Sequence, residues 1–308
     1  MRKFLKIFIA VAILLAAFAG WLFGYDEARV RALKADNGCP GCDLREISSL
    51  GADLQGADLI GTDLRGATLW WADLRGADLR DAKMSGANLW WSDLRDAKLD
   101  DTVLDGASLG RANMRGVRGA GAQFKLADMS GTNLSDGSFP RASFYRAHML
   151  QAFMTKTDLR GADFTETNLH GVNMTGANLA GAKLAGASLT GTILASANLT
   201  GADLRGARMA DVKLHGADLT GADLRKAELP LAKMAGAILR GANLADANLT
   251  WADLTGADLS GANLSNANLA TADLTDAVLS NANMSGVFMD GATLCRTLLP
   301  TGMDNSNC

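Results

Sequence analysis

The chain has few of the side chains that usually perform enzyme chemistry, with only three histidines and four cysteines among 308 residues. All three histidines fall at outward positions of the repeat described below, and two of them lie on neighbouring coils: His148, His170 and His215. No cysteine or carboxylate set completes a metal or catalytic site with specific spacing. The sequence therefore predicts a protein that is not an enzyme, with no cofactor, no metal and no catalytic residues.

An excess of charge of one sign is also missing, because 30 Lys and Arg stand against 33 Asp and Glu. The balance is uneven only near the C-terminus, where residues 241–308 contain one arginine and seven aspartates. Such a surface is not the basic track that nucleic-acid binding requires. We therefore expect no nucleic-acid partner.

The chain has instead a five-residue period, A-(D/N)-L-x-G, which runs from Leu44 to Leu299 as 52 pentapeptides without insertion. At the central position only Ser49 and Gly119 are not Leu, Met or Phe. In a helix, every fifth residue would point in a different direction around the axis. In a strand, successive fifth residues would point to opposite faces of the sheet. A closed coil with one pentapeptide per side solves this problem, with Leu and Ala inward and Gly at the corner.

The repeated runs resemble the pentapeptide repeat proteins, for example GADLTGADLRKAEL at 216–229 and GANLSNANLATADL at 261–274. The resemblance covers residues 42–299. It implies an all-β solenoid, a right-handed quadrilateral β-helix with four pentapeptides per coil. The 52 units would form about 13 coils stacked at about 4.8 Å, a shaft roughly 60 Å long.

The N-terminal residues 1–24 do not follow the pentapeptide repeat. They begin with basic residues and continue with an apolar run from Ile7 to Phe23. Two interpretations stay open. Ala17-Phe18-Ala19 is typical of signal-peptide cleavage, whereas the length of the run and Trp21 favour an uncleaved transmembrane anchor. A buried cytoplasmic helix is the third alternative. Residues 25–41 are predicted to be a linker with a short helix over 26–37 that caps the first coil, and 300–308 a C-terminal tail.

The four cysteines lie in pairs at the two ends of the repeat. Cys39 and Cys42 face the first coil, where they form either a local disulfide or two small buried apolar residues. The segment containing Cys295 and Cys308 resembles a tail of exported pentapeptide repeat proteins. An even cysteine number and an export signal favour a Cys295–Cys308 disulfide that holds the tail over the last coil.

Residues twenty apart become neighbours in such a coil, which predicts one exposed aromatic patch from four tryptophans with a leucine above them: Leu50, Trp70, Trp71, Trp90 and Trp91. Large exposed aromatic patches usually mark an interface. The alternatives are packing against the N-terminal helix or the membrane surface, and stacking on a sugar.

Three further patterns give structural expectations. Asn243, Asn263 and Asn283 should form a stacked ladder. The column Arg75, Arg95 and Arg115, with its counterpart at Arg205 and Arg225, is either a set of surface ion pairs or an anion site. Residues 116–157 are the most degraded part of the repeat and predict a local bulge or a change in shaft width, unless the degradation is drift.

The leading functional hypothesis is a rigid scaffold or protein-binding rod at the bacterial cell envelope. It would be anchored in the inner membrane with a periplasmic solenoid, or secreted to the periplasm if cleaved, and would contact an unidentified protein partner or the membrane surface. The family resemblance also implies an alternative, a DNA-mimicking protein that binds and protects topoisomerases such as gyrase. The export segment and the balanced charge oppose that alternative.

Overall fold

The computed structural model describes residues 26–306 and Cys308. The predicted signal peptide or anchor at residues 1–24 therefore lies outside the described residues. Within the described part of the chain, no helix has both the length and the apolar character needed to cross a bilayer.

The repeat winds into a β-helix with twenty residues in each coil. Parallel bridges join residues twenty apart in unbroken succession, from Gly38 with Asp58 to Val278 with Leu298. From Leu44 to Leu279, each central N–H donates to the backbone oxygen nineteen residues later, as from Leu204 to Asp223 at 2.8 Å. Twenty residues are four pentapeptides, so each pentapeptide occupies one side of the coil.

The core is a stack of the central and Ala-type side chains. Most of them from Leu59 to Leu279 are completely buried, which explains why both positions tolerate so little variation. Threonine replaces Ala at several inward positions, and there its hydroxyl donates to a backbone oxygen 23 residues earlier, as from Thr102 to Leu79 at 2.7 Å. A buried hydroxyl without such a partner would be destabilising.

The Asp or Asn before each central residue supports the turn that follows. Its Oδ1 accepts the N–H of the residue two positions later, as when Ala245 donates to Asn243 at 3.2 Å. The predicted asparagine ladder is confirmed, because Asn263 Nδ2 donates to Asn243 at 3.1 Å and Asn283 Nδ2 donates to Asn263 at 3.0 Å. Asn can both donate and accept, so one side chain satisfies two neighbouring coils.

One α-helix, α1 (Glu27–Ala35), lies over the first coil. Its Val30 and Leu33 are buried and join the hydrophobic core. The chain enters the helix at Asp26, whose N–H donates to the Ser48 carbonyl at 2.8 Å. It leaves through Gly38, whose N–H donates to the Leu33 carbonyl at 2.7 Å. The helix thus covers apolar area that the terminal coil of a solenoid would otherwise expose.

The other end is closed by a short antiparallel hairpin of β1 (Thr297–Leu299) and β2 (Gly302–Asp304). A disulfide joins Cys295 to Cys308, with Cα atoms 4.6 Å apart. A second disulfide joins Cys39 to Cys42 beside the first coil, where both residues are half-buried and pack against the core. Each end of the solenoid therefore contains one disulfide crosslink.

The predicted bulge over residues 116–157 is wrong, because the twenty-residue register continues through this segment without interruption. A Cβ at Gly119 would lie only 2.8 Å from the Phe139 ring, and one at Gly137 only 2.7 Å from the ring's other side. The ring of Phe139 therefore fills the volume that both glycines leave empty. Phe124, Phe144 and Phe164 stack beside it, with successive centroids 5.0 Å and 4.7 Å apart. Large and small residues compensate, so the backbone does not need to bulge.

Candidate interaction surface

The four tryptophans of the predicted patch meet on two adjacent coils. The ring centroids of Trp70 and Trp90 are 6.4 Å apart, and those of Trp71 and Trp91 are 6.0 Å apart in a stacked arrangement. Trp90 and Trp91 make an edge-to-face contact at 6.0 Å, which joins the two columns. Each indole remains about 40% exposed, at 39–42%. We call these four residues the Trp patch.

The Trp patch is supported from both sides along the rod. A Cβ at Gly110 would overlap the Trp90 indole, so the glycine provides the space in which that ring lies. The guanidinium of Arg111 lies 5.1 Å from the Trp91 ring centroid, a cation–π contact. On the other side, Leu50 is half-buried, and the next residue, Gly51, donates its N–H to the Trp70 carbonyl at 2.8 Å. The patch therefore has an ordered shape.

Two of the tryptophans adopt a backbone conformation that disfavours bulky side chains. Trp71 and Trp91 occupy the corner position, which is Gly in 26 of the 52 pentapeptides, with φ angles of 61° and 59°. A left-handed conformation costs a non-glycine residue roughly 1–2 kcal/mol. Trp251 has the same geometry with φ at 61° and is 65% exposed. Because 25 non-glycine corners share this geometry, what distinguishes the tryptophans is the apolar area that they leave in water, which suggests a role other than stability.

The arginine columns are surface ion pairs for the most part. Four of the predicted arginines pair with the Asp two residues earlier at 2.5–2.7 Å, namely Arg75, Arg95, Arg205 and Arg225. These pairs lower the pKa of Asp73, Asp203 and Asp223, chiefly through the arginine hydrogen bonds. Arg115 pairs instead with Asp136 at 2.9 Å. Because each guanidinium already has a carboxylate partner, the columns favour ion pairing over an anion site.

One carboxylate bridges two coils. Asp78 accepts hydrogen bonds from Arg80 at 2.7 Å and from Lys98, on the next coil, at 2.9 Å. Both hydrogen bonds lower the pKa of Asp78, the one from Arg80 by more than the one from Lys98, and the pKa is about 2. The low folded-state pKa means that the ionised carboxylate stabilises the fold above the unfolded-state pKa of about 4.

We expect this stabilisation to disappear as the pH falls from about 4 through about 2. Asp78→Asn is the matched control, since Asn also occurs at this position of the repeat and keeps the acceptor oxygen. The wild-type advantage in unfolding free energy should be below about 1 kcal/mol at neutral pH, because the partners are largely exposed. It should vanish below about pH 2. An NMR titration of the Asp78 carboxyl with a midpoint near 4 would contradict this assignment.

The remaining candidate residues are the three histidines. His148, His170 and His215 are all exposed. Among the described residues, no group of three or more His, Cys, Asp or Glu side chains could hold a metal ion. Sequence reasoning missed the contributions of Gly110 and Arg111 to the Trp patch. The twenty-residue column could have indicated both, because they follow Trp90 and Trp91 by one coil.

Comparison with known proteins agrees with this architecture. The family model for pentapeptide repeats matches eight times, over residues 41–70, 63–101, 97–136, 138–176, 173–211, 207–244, 232–261 and 257–296. The fold defines a solenoid of stacked pentapeptide repeats. The chain belongs to the pentapeptide repeat family, whose fold is the right-handed quadrilateral β-helix.

The solved structures that are similar to this chain include pentapeptide repeat proteins. HetL, a pentapeptide repeat protein involved in heterocyst differentiation regulation from the cyanobacterium Nostoc sp. strain PCC 7120, shares 29% identity. The match covers 90% of this chain and 98% of HetL, with a TM-score of 0.26. QnrB1, a plasmid-mediated fluoroquinolone resistance protein, shares 21% identity over 62% of this chain and 87% of its own, with a TM-score of 0.48. No curated protein matches the chain in sequence.

Proposed function

We propose that this protein is a non-enzymatic rod at the bacterial cell envelope, exported or anchored by residues 1–24, and that the Trp patch is its contact surface. The observation that carries the proposal is the exposure of four neighbouring indoles in one cluster on the solenoid surface. Two of them occupy corners where Gly would be more favourable. Exposed aromatic clusters of this kind are characteristic of interfaces.

The two disulfides support an oxidising compartment, since disulfides are rare in the cytosol of most bacteria. The topoisomerase-binding alternative would require a continuous acidic surface that imitates DNA. The paired Arg and Asp side chains do not supply one along most of the rod. Envelope contact is therefore the better supported function.

Cell fractionation followed by intact-mass measurement tests the location. Full-length protein in the membrane fraction, with a solenoid that protease digests from the periplasmic side, would support an anchored rod. A periplasmic species lacking its first nineteen residues would support a secreted rod. Full-length protein in the cytosol would overturn the envelope proposal and favour topoisomerase binding.

Removing the Trp patch should abolish contact without harming the fold. We expect a variant with Trp70→Ser, Trp71→Gly, Trp90→Ser and Trp91→Gly to keep its circular dichroism and thermal midpoint, since Gly suits the corner conformation. A photo-cross-linking residue at the exposed Gly51 should capture the contacted protein or lipid in cells. Compared with the wild type, this variant with four substitutions, the quartet variant, should lower the yield of cross-linked adduct on the order of tenfold or more, as loss of aromatic anchors does at other interfaces.

The matched control removes exposed apolar side chains that lie elsewhere on the rod. Leu126→Gly, Phe153→Asn and Phe288→Asn restore the repeat consensus at residues that are 50–61% exposed. Their adduct yield should equal that of the wild type. Equal yields from the quartet variant and the wild type would exclude the Trp patch as the contact surface.

A further inference from the structure

The Trp patch belongs to a longer feature of the rod, one of its four edges. This edge consists of the x and corner positions of every fourth pentapeptide: 50 and 51, 70 and 71, and so on to 290 and 291. Beyond the patch it exposes Leu150, Leu231 and Trp251, at 41%, 56% and 65%. Seven of the eleven exposed large hydrophobic side chains of the described residues lie on this edge. We call it the aromatic edge.

The aromatic edge is also poor in charge. From 50 to 291 it contains three charged residues, Arg111, Asp211 and Asp290. The diagonally opposite edge, from 40 and 41 to 280 and 281, contains seven: Arg80, Asp81, Asp100, Asp101, Arg141, Arg160 and Arg240. Exposed hydrophobics and missing charges thus coincide on one side of the solenoid.

The backbone of the edge is continuous from coil to coil. Its corner residues form one backbone ladder, in which each corner N–H donates to the carbonyl one coil further on, as from Trp71 to Trp90 at 3.1 Å and from Leu231 to Thr250 at 2.9 Å. Trp71 and Trp251 are nine coils apart, or about 43 Å at the usual strand spacing of about 4.8 Å. A peptide or sugar ligand would engage one aromatic cluster, whereas side chains spread over this length fit an extended surface.

The chain enters the rod close to the beginning of this edge. Asp26 is bound through its N–H to the carbonyl of Ser48, two residues before Leu50, the first apolar member. The residues before Asp26 include the apolar run from Ile7 to Phe23. If that run enters a bilayer, the aromatic edge starts within a few residues of the membrane surface. Such tethering raises the effective concentration of the edge at the interface, so that weak contacts suffice.

We propose that the rod lies lengthwise on the lipid bilayer, with the aromatic edge in the headgroup region. Indoles favour this region, where the ring is in an apolar environment and its N–H is hydrated. A scarcity of charge on the contacting side avoids the cost of desolvating ion pairs against lipid. This inference rests on the proposed envelope function and names the membrane surface as what the Trp patch contacts.

Fluorescence quenching of Trp251 in vesicles tests the proposal, because this residue is about 38–43 Å along the rod from the Trp patch. The full-length chain is reconstituted in phosphatidylcholine and phosphatidylglycerol vesicles, with or without dibrominated acyl chains. Five substitutions leave Trp251 as the sole indole and keep the edge apolar: Trp21→Phe, Trp70→Phe, Trp71→Phe, Trp90→Phe and Trp91→Phe. A matched variant adds Trp251→Gly and Gly261→Trp. Gly261 is an exposed corner on the opposite edge with φ at 66° and no heavy atom within 4 Å of an added Cβ.

We expect brominated lipid to reduce Trp251 emission at least about twofold, since an interfacial indole reaches the acyl chains. The indole at position 261 should remain unquenched. Absence of quenching at both positions would overturn the proposal, whether the rod stands away from the bilayer or the edge is covered by a second copy. Equal quenching at both would also overturn it, because no single edge would then face lipid. Recovery of the chain from the cytosol of cells would refute the envelope function separately, independently of the vesicle result.

Discussion

Gly119→Leu should destabilise the solenoid, although it restores the consensus residue at a central position. A Cβ at Gly119 would already lie 2.8 Å from the Phe139 ring, so a leucine cannot fit without displacing that ring. Overpacking of this kind costs about 1–3 kcal/mol. Phe139→Leu alone should also destabilise by a similar amount, because it leaves the volume beside Gly119 and Gly137 unfilled.

The double variant Gly119→Leu with Phe139→Leu should be close to the wild type in stability. It rebuilds the ordinary leucine stack on two successive coils of the same face. The double-mutant cycle should therefore give a coupling equal to the sum of the two single costs, about 2–6 kcal/mol in favour of the pair. Urea unfolding measures the free energy of unfolding of the whole solenoid. Hydrogen exchange of the amides around Gly119 measures the free energy of local opening, since a solenoid can open coil by coil. Additive effects would show that the two residues do not compensate each other.

Gly38→Ala should detach α1 from the first coil. Gly38 has a φ of 124°, and an added Cβ would overlap the backbone oxygen of Asp58 and lie 2.6 Å from its nitrogen. Backbone atoms of the next coil cannot move aside as a flexible side chain can. The parallel bridge between Gly38 and Asp58 should then break, at a cost on the order of 3 kcal/mol or more.

Gly41→Ala is the matched control only three residues away. Gly41 also has a positive φ, at 71°, but no heavy atom lies within 4 Å of its added Cβ. The Gly41→Ala substitution should lower the free energy of unfolding by about 1 kcal/mol, because only the backbone conformation is unfavourable for alanine. Hydrogen exchange should show α1 exposed in the Gly38 variant and protected in the Gly41 variant. Similar protection of α1 in both variants would mean that the close approach at Gly38 does not hold the helix in place.

The pentapeptide period by itself determined the coil, its inward residues and its register. An uninterrupted period of five leaves few ways to place Leu and Ala together inside, and the same pattern repeats in dozens of units. The positions of Trp70, Trp71, Trp90 and Trp91 followed from counting in steps of twenty. The asparagine ladder followed in the same way, because identical residues in one column must become neighbours.

Only the tertiary structure decided how the exceptions fit. The sequence indicated a bulge near Gly119, whereas the structure fills that place with Phe139 from the adjacent coil. The place of Trp90 over Gly110 and the docking of α1 through Gly38 are equally absent from the repeat pattern. A period specifies which positions are equivalent. Whether a large residue fills a neighbour's space or collides with it depends on contacts between coils, which only the folded chain brings together.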